Sequence, residues 1–445
     1  MHKSSLPSRR HSWMLLLLLC AGPILASAQD DLSLGQLVEM ALQENYDIRI
    51  YRNIALAAET GNTKGNAGML PTVDLLAEQR FSVRNTQQQF FSGETRGAPL
   101  AQSNATSATL DANWIVFDGM AMFARKDRLD QLAGLSRADT RFFMEQTIAD
   151  LATAYYDLKQ QTQLLATYRK SLDVSKARLA FEEKALEVGA STLLDVQQAR
   201  VDRNTDSSLV LTQQALLQEI SISINRLINR ELSAAITPTD SIVLASSFDL
   251  SGLMDYARVS NAALSQRQFA ELIAMSNLQM SKGALLPQVE VFGNIAFTRQ
   301  QNQVGILQSN RSIGPEAGVR VRFNLFSGYQ DRTAQQVSEI NLETEKLSTS
   351  ALSLEVEESI RIAYLRWQNR VTQLALERES IEAANEALSI AQRQYELGTL
   401  TNVDFRIIQL NVINAETRFL EAQLDAKIRE VELLRLSGRL LEELQ

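Results

Sequence analysis

Val188-Gly189-Ala190-Ser191-Thr192-Leu193-Leu194-Asp195-Val196-Gln197-Gln198-Ala199 interrupts a very long helical pattern with a single glycine, after which helical periodicity resumes. A lone glycine between two helical runs predicts a turn, so the chain folds back here. Leu397-Gly398-Thr399-Leu400-Thr401-Asn402-Val403-Asp404-Phe405 repeats the break. Gly189 and Gly398 are 209 residues apart, and so are Asp195 and Asp404. The two stretches read as the tips of two helical hairpins in a tandem duplication.

Upstream of each tip the helical pattern runs back about seventy residues, to Asp118-Gly119 and to Ser327-Gly328. An unbroken helix of that length spans about 100 Å. Ile148, Leu151, Tyr155, Leu158, Leu165 and Leu172 form an apolar seam, and the last four correspond to Tyr364, Trp367, Leu374 and Ile381 at the same offset of 209. Such a seam is most simply a coiled-coil core. Return helices are expected from Leu193 to about Arg230 and from Val403 to the end.

Before the long helices the period changes from helical to two. Val73, Leu75, Ala77, Phe81 and Val83 alternate with Asp74, Glu78, Arg80 and Arg84, and Ala108, Leu110, Ala112, Trp114 and Val116 with Thr109, Asp111 and Asn113. The second half repeats the pair. Val289, Val291, Ile295 and Phe297 stand against Glu290, Asn294 and Thr298, then Ala317, Val319, Val321 and Phe323 against Arg320, Arg322 and Asn324. This is the signature of strands with one apolar and one polar face. Each run is about a dozen residues, slightly more than a tilted strand needs to cross a bilayer, and the long polar loops expected between them are 85–107 and 299–312. Four strands cannot close a barrel, and open edges are not tolerated in lipid. Several copies must therefore share one: twofold sharing gives eight strands and threefold twelve, and the strand pattern does not choose. The expected lumen residues are Asp74, Glu78, Arg80, Asp111, Glu290, Arg320 and Arg322, the two arginines either tuning ion passage or bonded to Asp74 or Glu290.

A helix over 30–68, opened by the capping box Ser33-Leu34-Gly35-Gln36, is matched over 248–283: Leu37, Ala41 and Asn45 align with Leu253, Ala257 and Asn261 at an offset of 216. Leu70-Pro71 and Leu286-Pro287 keep that offset and end each helix. The chain therefore divides into a leader (1–28), a first repeat (29–232, strand pair 71–118, tip near 189–195), a linker (233–247) holding Thr237-Pro238-Thr239, and a second repeat (248–445, strand pair 287–326, tip near 398–404).

The leader has Lys3, Arg9 and Arg10, the apolar run Met14 to Leu19, and Ala26-Ser27-Ala28, the form cut by signal peptidase. Its removal takes the formal charge from −8 to −11, since three cations and no acid are lost. Nucleic acid is excluded as a partner for so acidic a chain. Cys20, His2 and His11 leave with it, so the mature chain holds no cysteine or histidine; disulfides, Cys or His metal sites, Ser-His-Asp triads and cysteine nucleophiles are excluded together. No cofactor and no enzymatic activity are expected. Leu19 before Cys20 argues against lipidation, which wants a small residue there.

The leader, the Leu-Pro starts of the strand pairs, the Phe117-Asp118-Gly119 and Phe326-Ser327-Gly328 exits, and the duplicated tip together resemble the TolC-type outer-membrane efflux proteins, over essentially the whole mature chain. The resemblance implies an α+β membrane protein. Each protomer would give four barrel strands and long coiled-coil helices, and a homotrimer would form a 12-stranded barrel in outer-membrane lipid and a periplasmic α-helical tunnel. It also implies two partners: a periplasmic adaptor (membrane fusion) protein, and an inner-membrane transporter reached through it. By position the adaptor-docking residues would be Gly189, Thr192, Leu193 and Asp195 at the first tip and Gly398, Thr401 and Val403 at the second. The gate would comprise Asp404 and Tyr395. Two departures stand out: Ile407 replaces a second gate aspartate, and Leu400 occupies the place of a gate-locking basic residue, which implies a less tightly latched gate. Asp404 has a plainer reading, as an acid favoured by the helix dipole.

Two other readings of the whole chain are a duct for type I protein secretion and a soluble periplasmic coiled-coil scaffold with a sandwich head. Gly61 to Gly68 has the glycine density of a phosphate loop but lacks Gly-Lys-Ser/Thr, and reads as a fraying helix end. Glu182-Glu183 and Glu357-Glu358 read as solvated faces.

Overall fold

The computed structural model of the chain describes residues 30–444; the leader, with Cys20 and both histidines, lies outside them. The first half runs β1 (Asp30–Leu32), α1 (Leu34–Glu44), α2 (Tyr46–Gly61), β2 (Thr72–Gln89), β3 (Thr95–Asp118), α3 (Ala121–Glu187) and α4 (Leu193–Leu227). After β4 (Ile236–Pro238) the order recurs: α5 (Leu250–Ser260), α6 (Ala262–Gly283), β5 (Gln288–Asn302), β6 (Ser309–Arg322), α7 (Gln330–Glu396) and α8 (Asn402–Ser437), followed by α9 (Leu440–Leu444).

The opening helix of each half is two helices, not one. The capping box at Ser33 forms as expected, but Asn45 leaves the helical conformation (φ −60°, ψ 128°) and caps both α1 and α2. Its Oδ1 accepts from the Ile48 amide at 3.1 Å, while its Nδ2 donates 2.7 Å to the Leu227 carbonyl at the end of α4. Asn261 does the same between α5 and α6, accepting from Leu264 and donating to Leu436 near the end of α8. Asparagine competes for backbone groups in this way, yet one such residue inside a helical period leaves the period intact. The fraying reading of 61–68 holds: α2 ends at Gly61, and a turn follows.

The four long strands form one antiparallel sheet in the order β2-β3-β5-β6. They have 18, 24, 15 and 14 residues, so the expected loops 85–107 and 299–312 shrink to short turns at 90–94 and 303–308. The ladder continues through Gln, Thr, Ser and Asn. Those side chains carry no apolar alternation, and period alone cannot see a strand that is polar on both faces. The register puts Val73, Ala112, Gly293 and Ala317 in one cross-strand row and Asp74, Asp111, Asn294 and Glu316 in the next, facing the opposite way. One face is therefore apolar and uncovered, with Val73 64% and Leu75 75% exposed. No described helix is long and apolar enough to cross a membrane.

β3 passes into the 67-residue α3 through two successive residues in the left-handed region, Gly119 and Met120 (φ 69° and 71°). A matching pair, Gly328 and Tyr329 (φ 64° and 66°), leads into the 67-residue α7, with residues 323–327 between it and the end of β6. At Gly119 a Cβ would lie 2.2 Å from the Gly283 carbonyl oxygen, so the first turn also needs glycine for contact with the end of α6. Midway along the helices, Ile148, Leu151, Tyr155 and Leu158 are fully buried with Leu37, Val38 and Ile224, and Ile360, Trp367 and Leu433 make a second core. Leu165, Leu374 and Ile381 are buried as well, while Leu172 and Tyr364 are half-buried. The linker is strapped to the first core. Its β4 pairs in parallel with β1, and the Tyr155 hydroxyl joins Leu32 O and Asp240 Oδ2 at 3.1 and 3.0 Å.

Candidate functional site: the hairpin tips and the contacts behind them

The two turns are built alike. Gly189 and Gly398 take φ of 74° and 73°, and the next amide bonds back five residues, Ala190 to Ala185 O at 2.8 Å and Thr399 to Gln394 O at 2.9 Å. This is the Schellman closure, which demands a residue without a Cβ penalty. An added Cβ at either glycine meets nothing within 4 Å, so conformation alone dictates glycine. Thr192 and Thr401 then cap the return helices: the threonine hydroxyl accepts from the amides of Asp195 (3.2 Å) and Asp404 (3.1 Å) and donates to their carboxylates at 2.5 and 2.6 Å.

Around these caps the tips expose apolar side chains. Val188, Leu193, Leu194, Leu397 and Val403 are all exposed, Leu397 by 78%. The tips lie side by side, since the buried Asn402 side chain donates to the Asp195 carbonyl. Gly189, Thr192, Gly398, Thr401, Val403 and Asp404 are exposed, and Asp195 is half-buried.

Behind the tips a buried polar cluster joins the α3/α4 hairpin to the α7/α8 hairpin. Arg406, two residues past Asp404, makes a two-pronged ion pair with Asp206 of α4, Nη2 to Oδ1 at 2.7 Å and Nη1 to Oδ2 at 2.9 Å. Its Nε lies 3.8 Å from Asp202, which also pairs with Arg178 of α3. Ser171 and Ser175 donate to Asp206, and Gln409 Nε2 donates to the Ser171 hydroxyl at 2.9 Å. None of these side chains is more than about a tenth exposed, and Asp206 is 1% exposed. Two guanidinium and two carboxylate charges cancel, which is how ions are held away from water.

Nearer the tip, Tyr395 of α7 donates to Glu182 Oε1 at 2.5 Å, and Ser191 of the first turn donates to Glu182 Oε2 at 2.5 Å. The Tyr395 ring stacks on Phe405 (centroids 4.9 Å apart) and leans on Phe181 (5.5 Å). Burial, and then the Glu182 carboxylate, push the Tyr395 phenol well above its ordinary pKa.

Two sequence expectations change here. Glu182 is 5% exposed and clamped by two hydroxyls, not on a solvated face; its neighbour Glu183 is exposed, reaching Arg200 at 3.5 Å. Leu400 supplies no charge, but Arg406 holds the hairpins together from six residues further on. Sequence reading passed over Arg406, Asp206, Asp202 and Arg178, and misplaced Glu182, because charges on a long helix read as solvent-facing. A signal existed in the spacing of small and acidic residues, Ser171/Ser175 and Asp202/Asp206, each four apart and so on one face.

At the other end, all seven expected lumen residues fall on the polar face of the sheet. Asp74 is opposite Asp111, and Glu290 opposite Arg320. Arg320 bonds Glu290 at 2.9 Å and lies over the Phe292 ring, so of the two acids considered for it the bond goes to Glu290. Arg80 pairs with Glu78, and Arg322 is opposite Gln288. Among the described residues no group of acids, histidines or cysteines could hold a metal ion.

The family model described as outer membrane efflux protein matches residues 253–439. The outer membrane efflux protein BepC of Brucella suis biovar 1 (strain 1330) is 22% identical over 352 residues, 78% of this chain and 75% of that one. The outer membrane protein TolC of Escherichia coli (strain K12) is 17% identical over 367 residues, 79% and 73% of the two chains. The Campylobacter jejuni CmeC outer membrane channel has the same fold, with a TM-score of 0.77 at 14% identity over 92% of this chain and 86% of that one. With the second repeat matched by the family model and the relatives aligned over more than three quarters of the chain, the chain is similar to the outer membrane efflux proteins.

Proposed function

We propose that the chain is the outer-membrane duct of a tripartite efflux system, passive in itself, closed at its periplasmic end and opened by an adaptor protein linked to an inner-membrane transporter. The observation that carries the gate is the neutral, buried cluster of Arg406, Asp206, Asp202 and Arg178 lying directly behind two exposed apolar turns. An interlock placed there holds the hairpins together until a partner grips the turns.

Three copies share the barrel. The edges β2 and β6 are unpaired in one chain, and lipid requires closure; three four-stranded sheets give twelve strands, with the apolar face toward lipid and the face of Asp74, Glu290 and Arg320 toward the lumen. The helices continue as a tunnel into the periplasm. Asp404 of the three copies rings its narrow end, while Gly189, Thr192, Leu193 and Asp195, with Gly398, Thr401 and Val403, form the adaptor-docking turns. Adaptor contact splays α7 and α8 outward, releases Tyr395 from Glu182 and Arg406 from Asp206, and widens the ring.

The detergent-corrected mass of protein extracted from outer membranes tests the assembly: three protomers are expected, and a monomer overturns the shared barrel. A disulfide introduced across neighbouring tips tests the gate. It is expected to abolish transport and to restore it on reduction, and undiminished transport in the oxidised state overturns the splaying mechanism.

A further inference from the structure

The uncovered face of the sheet is apolar in five successive cross-strand rows, and then carries two charges side by side. The β5–β6 pairs on that face are Val289/Val321, Val291/Val319, Gly293/Ala317, Ile295/Pro315 and Phe297/Ile313, and the next is Arg299/Arg311. These arginines lie toward the 303–308 turn, the end of the sheet remote from the helices. Their row continues through Thr106 and Gln79, both neutral. Tilt staggers such rows around a barrel, so on β2 the apolar run continues to Val83.

Like charges directly opposite across two strands repel, and nothing on this face relieves them. Every acid of the four strands outside the turns (Asp74, Glu78, Asp111, Asp118, Glu290 and Glu316) is on the polar face. Neither arginine has an ion pair among the described residues, and both are exposed; Arg311 only rests over the Phe297 ring, 5.5 Å away. A neighbouring copy brings no acid either. If β6 pairs with its β2, that strand offers Val73, Leu75, Ala77, Gln79, Phe81 and Val83 to this face in any register.

We propose that Arg299 and Arg311 bind the phosphate of a lipid headgroup in the outer leaflet. The pair stands where an apolar band meets the headgroup layer, and two planar forks of N–H donors on directly paired residues match a phosphate bearing two negative charges. An anion seated between them turns the repulsion into attraction and ties the rim of the barrel to its lipid annulus. The proposal rests on the barrel reading above, because it needs this face to meet lipid.

The test uses full-length protein recovered from the outer-membrane fraction, so a failure of the barrel reading appears earlier, as protein absent from that fraction. Native mass spectrometry would count retained molecules of a phosphorylated outer-leaflet glycolipid, of the same glycolipid after phosphatase treatment, and of inorganic phosphate. The wild type is expected to hold the phosphorylated glycolipid at least about tenfold more tightly than the dephosphorylated one, the factor that one charge-assisted contact gives. R299Q/R311Q is expected to lose that preference and R299K/R311K to keep part of it, with oligomeric state and outer-membrane yield unchanged. Equal binding of the two glycolipids, or an undiminished preference in R299Q/R311Q, overturns the proposal. So does inorganic phosphate held as tightly as the lipid, which would make this a site for a soluble anion.

Discussion

Arg406 and Asp206 meet in a two-pronged ion pair although they stand 200 residues apart and on different hairpins. Removing one member leaves the other charge buried, which costs about 3–5 kcal/mol, whereas replacing both with apolar groups of similar size is far milder. Arg406→Ala is therefore expected to raise single-channel conductance in planar bilayers. Arg406→Met with Asp206→Leu is expected to melt closer to the wild type than Arg406→Ala does. Unchanged conductance in Arg406→Ala would show that the pair does not hold the gate.

Tyr395 gives a pH dependence with a definite sign. Its phenol is raised by burial and by Glu182, so the stability it contributes is fully present below the ordinary tyrosine range near pH 10. That contribution is lost only as the pH climbs through the raised folded value. Ultraviolet titration of the folded protein is expected to show the same absorbance step near pH 10 in the wild type and in Tyr395→Phe. The two curves should separate only at higher pH, and a smaller step near pH 10 in the variant would contradict the raised value.

Gly189→Ala and Gly398→Ala meet no steric obstacle, so their effect is conformational. Forcing a Cβ into the left-handed region costs about 1–2 kcal/mol. Each variant is expected to reach the outer membrane at a normal level while efflux falls, because the turn that carries Leu193 or Val403 changes shape. Cellular accumulation of the exported substrate, set against immunoblotted outer-membrane protein, checks this.

Asn45 and Asn261 each cap a helix and satisfy a carbonyl at the end of a return helix. Loss of an N-cap costs about 1 kcal/mol, and the orphaned buried carbonyl adds about 1–3 kcal/mol. Asn45→Ala and Asn261→Ala are expected to lower the denaturation midpoint, each by a similar amount, and the double variant by close to the sum, as for distant sites. Chemical denaturation followed by helical circular dichroism measures all three.

The backbone of this architecture was legible where one residue dictates conformation. Gly189 and Gly398 turn the chain as the sequence implies, whereas the caps of Thr192 with Asp195 and of Thr401 with Asp404 are equally local but read in sequence as docking and gate positions. Strand existence was legible from Val73, Leu75 and Val289; strand length was not, because Gln87 and Thr95 lie in ladders with no buried face to mark them. The interlock was hidden for a different reason. Whether Arg406 or Glu182 faces water is decided by a hairpin some two hundred residues away, and a helical period contains no term for that distance.

The paired left-handed residues Gly119–Met120 leave no slack segment between β3 and α3, whereas seven residues, 323–329, separate β6 from α7. The 67-residue α3 is thereby a lever about 100 Å in length with its fulcrum at the sheet. Tilting such a lever by roughly 5° swings its far end by roughly 9 Å. Under the proposed gating, motion ample for a gate at the tips is thus a rounding error at the rim, and the proposed barrel would keep its hydrogen bonds and its lipid contacts while the periplasmic mouth opened and shut.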